Sequence, residues 1–253
     1  MGTLEGKVAV ITGGNTGIGL ATAKEFRRQG AKVVITGRNA QALEQAVEQL
    51  GGGDDVLAVA ADVTRLDDLQ QLFATAQQRF GGVDVVFANA GTAKIGPIEA
   101  MTEALFDEVM HTNLKGLFFT IQQALPVLKP NASIILNGSV NAHVGFPNAS
   151  VYSASKAAVH SLARTLGAEL IGRGIRVNTL NIGPINTDLF SKLGLPPEGL
   201  AQFAQAVGAR VPLGRFGNPD EVAKAAVFLA SSDSSFVVGS EVVTDGGLTI
   251  NAL

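Results

Sequence analysis

The 253-residue chain has a net charge of −3 and no basic block, which argues against a nucleic-acid surface and against an electrostatic membrane patch. It has no cysteine, which excludes disulfides, thiolate metal sites and cysteine nucleophiles. Hydrophobic residues at 46% against 16% charged exclude disorder and suit a single α/β domain, because such folds reach roughly 250 residues undivided, with apolar surface left for subunit contacts.

No charged, apolar and small-residue export layout precedes the apolar run at Lys7, so the protein is placed in the cytoplasm. The run Lys7-Val-Ala-Val-Ile-Thr12 reads as a strand, and Gly13-Gly-Asn15-Thr16-Gly17-Ile18-Gly19 as a turn into the helical pattern Leu20 to Gln29. Backbone N–H groups of such a turn, with the positive end of the helix behind them, suit a pyrophosphate. The spacing is G-x-x-x-G-x-G rather than G-x-G-x-x-G. Gly30 closes the helix, and Ala31 to Thr36 is a second strand ending at Gly37-Arg38-Asn39. An acidic residue near this strand end would take ribose hydroxyls, whereas an arginine suits a 2′-phosphate, so Arg38 favours NADP(H) over NAD(H).

Helix follows from Gln41 to Leu50, then a glycine turn, then a strand from Val56 to Ala60 that delivers Asp62 and Val63. Alternation at this spacing predicts βαβ units and a parallel sheet with helices on both faces. Asp62 can accept from an adenine amino group or cap the helix predicted over Leu66 to Arg79. Val83 to Ala88 is a fourth strand, after which Asn89 can bridge strand ends while Ala90 and Gly91 leave room for a ribose; a plain turn is the alternative. A helix is predicted from about Thr102 to Leu128, with Asn113 inside it, where that residue either bends the helix through a contact or supports a water.

Ser133 to Asn137 is a fifth strand leading to Ser139. The interval from Pro130 to Ser155 lacks Asp, Glu, Lys and Arg, but Asn, Ser, Gly and Pro break it, so it is not a membrane span. Within it lies Tyr152, the single tyrosine beside 13 phenylalanines and no tryptophan, so bulk alone does not account for its hydroxyl. Tyr152 and Lys156 fall one helical turn apart on one face, and an ammonium there would lower the phenol pKa toward a range useful for proton transfer. Ile175 to Leu180 is a sixth strand, followed by Asn181 to Thr187. The stretch from Asp188 to about Leu213 reads as an irregular apolar substrate lid. A helix then runs from Asn218-Pro219 to about Leu229, and a last strand and turn cover Val242 to Gly247.

From Lys7 to Gly247 these residues resemble the short-chain dehydrogenase/reductase family. The resemblance rests on the Thr12 to Gly19 turn, Asp62-Val63, Asn89-Ala90-Gly91, Asn113, Ser139, Tyr152-Ser-Ala-Ser-Lys156, Gly183-Pro184 with Thr187, and Asp245-Gly-Gly247, in order. It implies a doubly wound Rossmann-like fold with a seven-stranded parallel sheet, and a homotetramer assembled through the helices around Asn113 and Tyr152. It further implies Tyr152 as general acid or base, Ser139 holding the substrate oxygen, Lys156 lowering the tyrosine pKa and binding nicotinamide ribose, and Asn113 seating a relay water. The Ile185 backbone would meet the carboxamide, and Thr187 the amide or a phosphate oxygen. Two positions depart from the family pattern: Ile182 replaces the proline expected before Gly183, and Asn181 stands where serine is common. No metal is assigned; His143 either lines the substrate mouth or is a solvated loop histidine.

The leading expectation is an NADPH-dependent carbonyl reductase or alcohol dehydrogenase acting on a small carbonyl or secondary alcohol. One alternative is a 3-oxoacyl-carrier-protein reductase, which would want a basic docking surface for its acidic carrier; Lys129 and Arg173 are the only obvious basic residues in the corresponding connections, which weakens that alternative. Another, of a different class, is a non-catalytic dinucleotide sensor; the complete set of Asn113, Ser139, Tyr152 and Lys156 argues against it, because a pure binder needs no proton donor.

Overall fold

β-Branched runs too short for helices and amphipathic stretches too long for strands alternate along the chain, and the structure, a computed structural model describing residues 2–187 and 197–250, folds them accordingly. The first half comprises β1 (Val8–Thr12), α1 (Gly17–Arg28), β2 (Lys32–Gly37), α2 (Ala40–Gln49), β3 (Val56–Ala60), α3 (Leu66–Phe80) and β4 (Val83–Ala88). The second comprises α4 (Glu103–Met110), α5 (Leu117–Ala124), β5 (Leu128–Asn137), α6 (Ser150–Leu170), β6 (Arg176–Ile182), α7 (Pro197–Gly208), α8 (Pro219–Ala230) and β7 (Glu241–Thr244).

The strands form one seven-stranded sheet in the order β3-β2-β1-β4-β5-β6-β7, and every adjacent pair is parallel. Successive side chains point to opposite faces, so neighbouring residues feed two cores. Ile11, Ile35 and Phe87 pack with Phe26 of α1 and Val222 of α8. Val10, Val34 and Val86 pack with Leu69 and Phe73 of α3, Ile121 of α5 and Val159 of α6. Burial on both faces is what a purely parallel sheet requires. The order reverses between β1 and β4, and a crevice at the carboxyl ends of those strands is where open α/β sheets bind ligands. Among the described residues, no helix is long and apolar enough to cross a membrane.

Three expectations about elements need correction. The helix predicted to reach Leu128 stops at Ala124, and Leu128 already pairs with Val83 at the start of a ten-residue β5. Pro126 has no N–H to continue a helix, while Lys129 reaches Asp84 at 2.9 Å and fixes the segment beside β4. Asn131, at a φ of 63°, interrupts the run, which hides the strand from a search for alternation. The same predicted helix is also divided at His111–Gly116, where one π turn separates α4 from α5. The stretch expected as an irregular lid contains α7 in its described part; residues 188–196 of that expected lid lie outside the described residues.

Buried Arg176, at the start of β6, joins the sheet to the end of α8. Its guanidinium donates to the carbonyls of Leu229, Ser231 and Ser234 and to the Ser234 hydroxyl at 2.8–3.1 Å. Arg176→Met would fill most of the volume but remove four hydrogen bonds donated by a buried guanidinium. It should cost about 3 kcal/mol, read as a lower urea midpoint with unchanged slope.

Candidate active site

The turn after β1 is built for close approach. Gly13 and Gly17 have φ values of 63° and 52°, and a Cβ on Gly19 would lie 2.0 Å from the Gly13 carbonyl oxygen. Only glycine lets the chain fold this tightly and bring its amides to the surface of α1. Thr16, the N-cap, makes no side-chain capping bond, so the first amides of α1 keep their capacity for an anion. A phosphate-bearing dinucleotide therefore fits this end of the sheet.

Behind the turn stands a network of asparagines. The Thr12 hydroxyl accepts from the Asn89 and Ala90 amides, both at 3.0 Å, and Asn89 Nδ2 donates to the Thr12 carbonyl at 2.9 Å. Asn137 Nδ2 in turn donates to Asn89 Oδ1 at 2.8 Å. Lys156 Nζ, arriving from α6, donates to the Asn137 carbonyl at 2.7 Å and to its Oδ1 at 3.2 Å. Three strand ends and one helix are thus locked together by side chains.

Asn113 sits in the π turn. Its Nδ2 donates to the Thr92 carbonyl and the Ser155 hydroxyl, and its Oδ1 accepts from the Thr92 amide, at 2.8–3.1 Å. Of the two roles open in the sequence, the structure shows the side-chain contact: both amide hydrogens are used to dock the turn against the loop after β4 and against α6.

A cleft of about 210 Å³ runs over these groups, lined by Gly13, Thr16, Gly17, Ile18, Asn89 to Thr92, Asn137 to Ser139, Tyr152, Lys156, Ile182, Gly183, Ile185 and Thr187. A second cavity of about 120 Å³ shares Ser139, Tyr152, Ile182 and Gly183 with it, and adds Ile95, Phe146, Pro147, Val207 and Leu248. The apolar walls therefore come mainly from loops after β4 and β5 and from the C-terminal turn, with Val207 of α7 contributing from the expected lid. Arg210, exposed, stacks on Phe146 with 5.9 Å from its guanidinium carbon to the ring centroid.

Ser139 and Tyr152 converge where the two cavities meet, and their hydroxyls share a hydrogen bond. Burial raises the Tyr152 pKa, and the bond from Ser139 works against that rise. The expectation that Lys156 lowers it is not what this geometry gives. Nζ stands 5.7 Å from the phenol ring centroid and is turned to Asn137, and removal from water is the largest influence on the phenol. Lys156 itself is pushed down by burial to about 8.

Other assigned residues lie apart from the cleft floor. Arg38 is exposed at the end of β2, and its charge helps lower the Asp62 pKa against the larger, opposing effect of burial. Asn15 packs over Gly37, where a Cβ would meet Asn15 Oδ1 at 2.5 Å. Asp62 does not cap α3, whose N-cap is Arg65; its Oδ1 instead accepts from the amide and hydroxyl of Thr64. Val63 touches the π turn, since a Cβ on Gly116 would lie 3.0 Å from its Cγ2. Asn137, Thr92 and Ser155 were missed by sequence reading. Asn137 alone carried a signal, a polar residue closing a buried apolar strand.

A family model described as enoyl-(acyl carrier protein) reductase matches residues 13–249. An oxidoreductase of Sarocladium schorii is 47% identical over 97% of this chain and 96% of its own length. The NADP-dependent (R)-specific alcohol dehydrogenase of Lentilactobacillus kefiri is 38% identical over 97% of this chain and 98% of its own. The 3-oxoacyl-acyl-carrier-protein reductase of Thermotoga maritima is 39% identical over 98% and 99%. Among solved structures, a glucose/ribitol dehydrogenase of the short-chain type from Brucella melitensis superposes with a TM-score of 0.92 at 33% identity, covering 98% of this chain and 99% of that one.

The lowered lysine pKa has a stability consequence of fixed sign. Between its folded pKa of about 8 and the ordinary 10.5, the unfolded chain holds a proton at Lys156 that the folded chain has released. This residue's contribution to stability therefore rises with pH across that window. Relative to Lys156→Met, the parent should gain up to about 3 kcal/mol between pH 7.5 and pH 10.5 in paired urea titrations.

Proposed function

The chain belongs to the short-chain dehydrogenase/reductase family, an oxidoreductase family that binds nicotinamide dinucleotides, and on that premise we propose that it is an NADP(H)-dependent carbonyl reductase or alcohol dehydrogenase. The observation that carries the reading is the meeting of Ser139 and Tyr152 at the junction of a polar cleft and an apolar cavity. A dinucleotide in the first cavity and a carbonyl substrate in the second would share that junction. When bound, the nicotinamide supplies or accepts the hydride.

In this reading the Ser139 hydroxyl holds the substrate oxygen, and Tyr152 gives it a proton during reduction or takes one during oxidation. Lys156 holds the nicotinamide ribose and carries positive charge below its pKa of about 8, on the face of α6 from which Tyr152 also projects. Asn113 acts as a positioning residue, because its side chain is committed to Thr92 and Ser155. Gly13, Asn15, Thr16, Gly17, Ile18 and Gly19 take the pyrophosphate end, Asp62 and Val63 the adenine, Asn89, Ala90 and Gly91 the ribose. Gly183, Ile185 and Thr187 take the nicotinamide side. From the described part of the expected lid, Val207 of α7 would flank the substrate within the same domain. The assembly is a cytoplasmic homotetramer; exposed Phe106 and Phe118, on the helices flanking Asn113, support burial of that face.

Cofactor preference rests on Arg38. Gly37 offers no carboxylate and is overlain by Asn15, so the β2 end presents a cation to whatever extends from the ribose. The Lentilactobacillus relative is itself described as NADP-dependent. A carrier-protein substrate is the second reading, favoured by the Thermotoga relative. Against it, Lys129 and Arg173 both lie at the amino-terminal edge of the sheet, away from the cleft of their own chain, with Lys129 paired to Asp84 and Arg173 donating to the Leu125 carbonyl.

Two substitutions test these assignments. Tyr152→Phe should retain the fold and dinucleotide binding by fluorescence titration while losing about 10²-fold or more in turnover across a panel of ketones, acetoacetyl thioesters and secondary alcohols; parent-level turnover would refute the proton donor. Arg38→Asp should move the NADPH-to-NADH ratio of kcat/KM toward NADH by at least about tenfold, as expected from losing one charge-assisted phosphate contact. An unchanged ratio would remove Arg38 from cofactor selection.

A further inference from the structure

Behind the cleft, His160 lies on α6 one turn beyond Lys156, His143 follows the 3-10 turn that begins after Ser139, and Glu241 opens β7. Two of the protein's three histidines meet at one carboxylate. His143 Nε2 is 2.6 Å from Glu241 Oε2, His160 Nδ1 is 3.1 Å from Glu241 Oε1, and the imidazole centroids are 4.8 Å apart. We propose that His143, His160 and Glu241 form a binding site for a divalent first-row transition ion, with zinc as the best match, clamping the loop after Ser139 to α6 and β7.

Geometry and donor chemistry both support this. The ligand atoms all lie within 4.8 Å of one another. Zinc–nitrogen and zinc–oxygen distances of about 2.0–2.2 Å put tetrahedral ligands about 3.3 Å apart, so rotamer-scale movement would suffice. Two imidazoles and a carboxylate select zinc-like ions over magnesium or calcium, which prefer all-oxygen shells. His143 is 45% exposed at the ring and Glu241 21%, so a water can complete the shell from the solvent side.

The second, independent observation is His160. Its side chain is 4% exposed, and neither ring nitrogen makes a hydrogen bond, although Nδ1 lies 3.1 Å from Glu241 Oε1. An imidazole withdrawn from water keeps an unused lone pair only at a cost, and a metal would use it. Its Nε2 faces the backbone at Gly138, where a Cβ would come within 2.7 Å, so the ring cannot readily turn away. Two cations face the site. Arg164 Nη1 is 3.5 Å from Glu241 Oε1 but 62% exposed, so it can yield its place to an ion by swinging into solvent. Lys156 is directed to the Asn137 carbonyl on the other side.

The third histidine, His111, is exposed on the π turn and serves as a control. Chelator-treated full-length protein titrated calorimetrically with zinc chloride should bind one ion per chain, with a zinc-dependent rise in Tm. His143→Gln and Glu241→Gln should each weaken binding by at least about tenfold, while His111→Gln should bind as the parent does. Absence of zinc binding by the parent, or undiminished affinity in both cluster variants, would overturn the proposal. Should a variant fail to fold, cobalt added to the parent decides the matter: a strong visible tetrahedral-type band supports the site, and its absence refutes it. None of these readouts depends on the enzymatic reading.

Discussion

The contact on which the site depends is the one between the Lys156 ammonium and the carbonyl of Asn137. A lysine buried in α6 needs an acceptor, and the end of β5 provides two oxygens on one residue. That requirement fixes how far α6 stands from the sheet and how it is rotated about its own axis. Tyr152, one turn earlier on the same face, is thereby aimed over the carboxyl ends of the strands and toward Ser139. The phenol is held in place by where its neighbour finds hydrogen bonds as much as by its own packing.

Asn137 extends the same constraint sideways. Its amide donates to Asn89, which is tied to Thr12 and to the glycine turn, so β1, β4 and β5 end in a shared hydrogen-bond network rather than in frayed backbone. Parallel strands leave polar groups at their carboxyl ends, and here amide side chains take up part of that capacity while the rest faces the cleft. Burial pushes Lys156 down to about 8 and Tyr152 up from its ordinary value, so the ammonium gives up its proton before the phenol does, the reverse of their order in water.

Strands and helices in the first half were legible because each apolar run had one period and was bounded by glycine. β5 was only half legible: Leu128-Lys-Pro-Asn has no alternation, and its place beside β4 comes from pairing with Val83 and from Lys129 reaching Asp84, both long-range facts. The site was legible as residue types in order, and the structure brings Ser139, Tyr152 and Lys156 to one cleft. The direction of the tyrosine shift was not legible, since spacing along a helix reports proximity but neither burial nor the partner toward which an ammonium turns. His160 was invisible for the same reason; its meaning depends on Glu241, 81 residues later in the chain, arriving on the neighbouring strand edge.

The π turn shows how an unfavourable local choice marks a site. Asn113 and Gly116 are both poor helix formers, and together they sit where the helix widens. Gly116 lets the widened turn press against Val63 at the end of β3, where a side chain would meet both its Cγ2 and its carbonyl oxygen at 3.0 Å. Asn113 spends its amide on Thr92 and Ser155, which places the turn against Gly91, where an added Cβ would lie 3.3 Å from Asn113 Oδ1 and 3.8 Å from Lys156 Nζ. The propensity lost by the helix is offset by tertiary hydrogen bonds that no ordinary α turn in this position would present at the same angle. Local preference and fold disagree at this point because the chain must bring a polar side chain from a helix into the wall of the cleft.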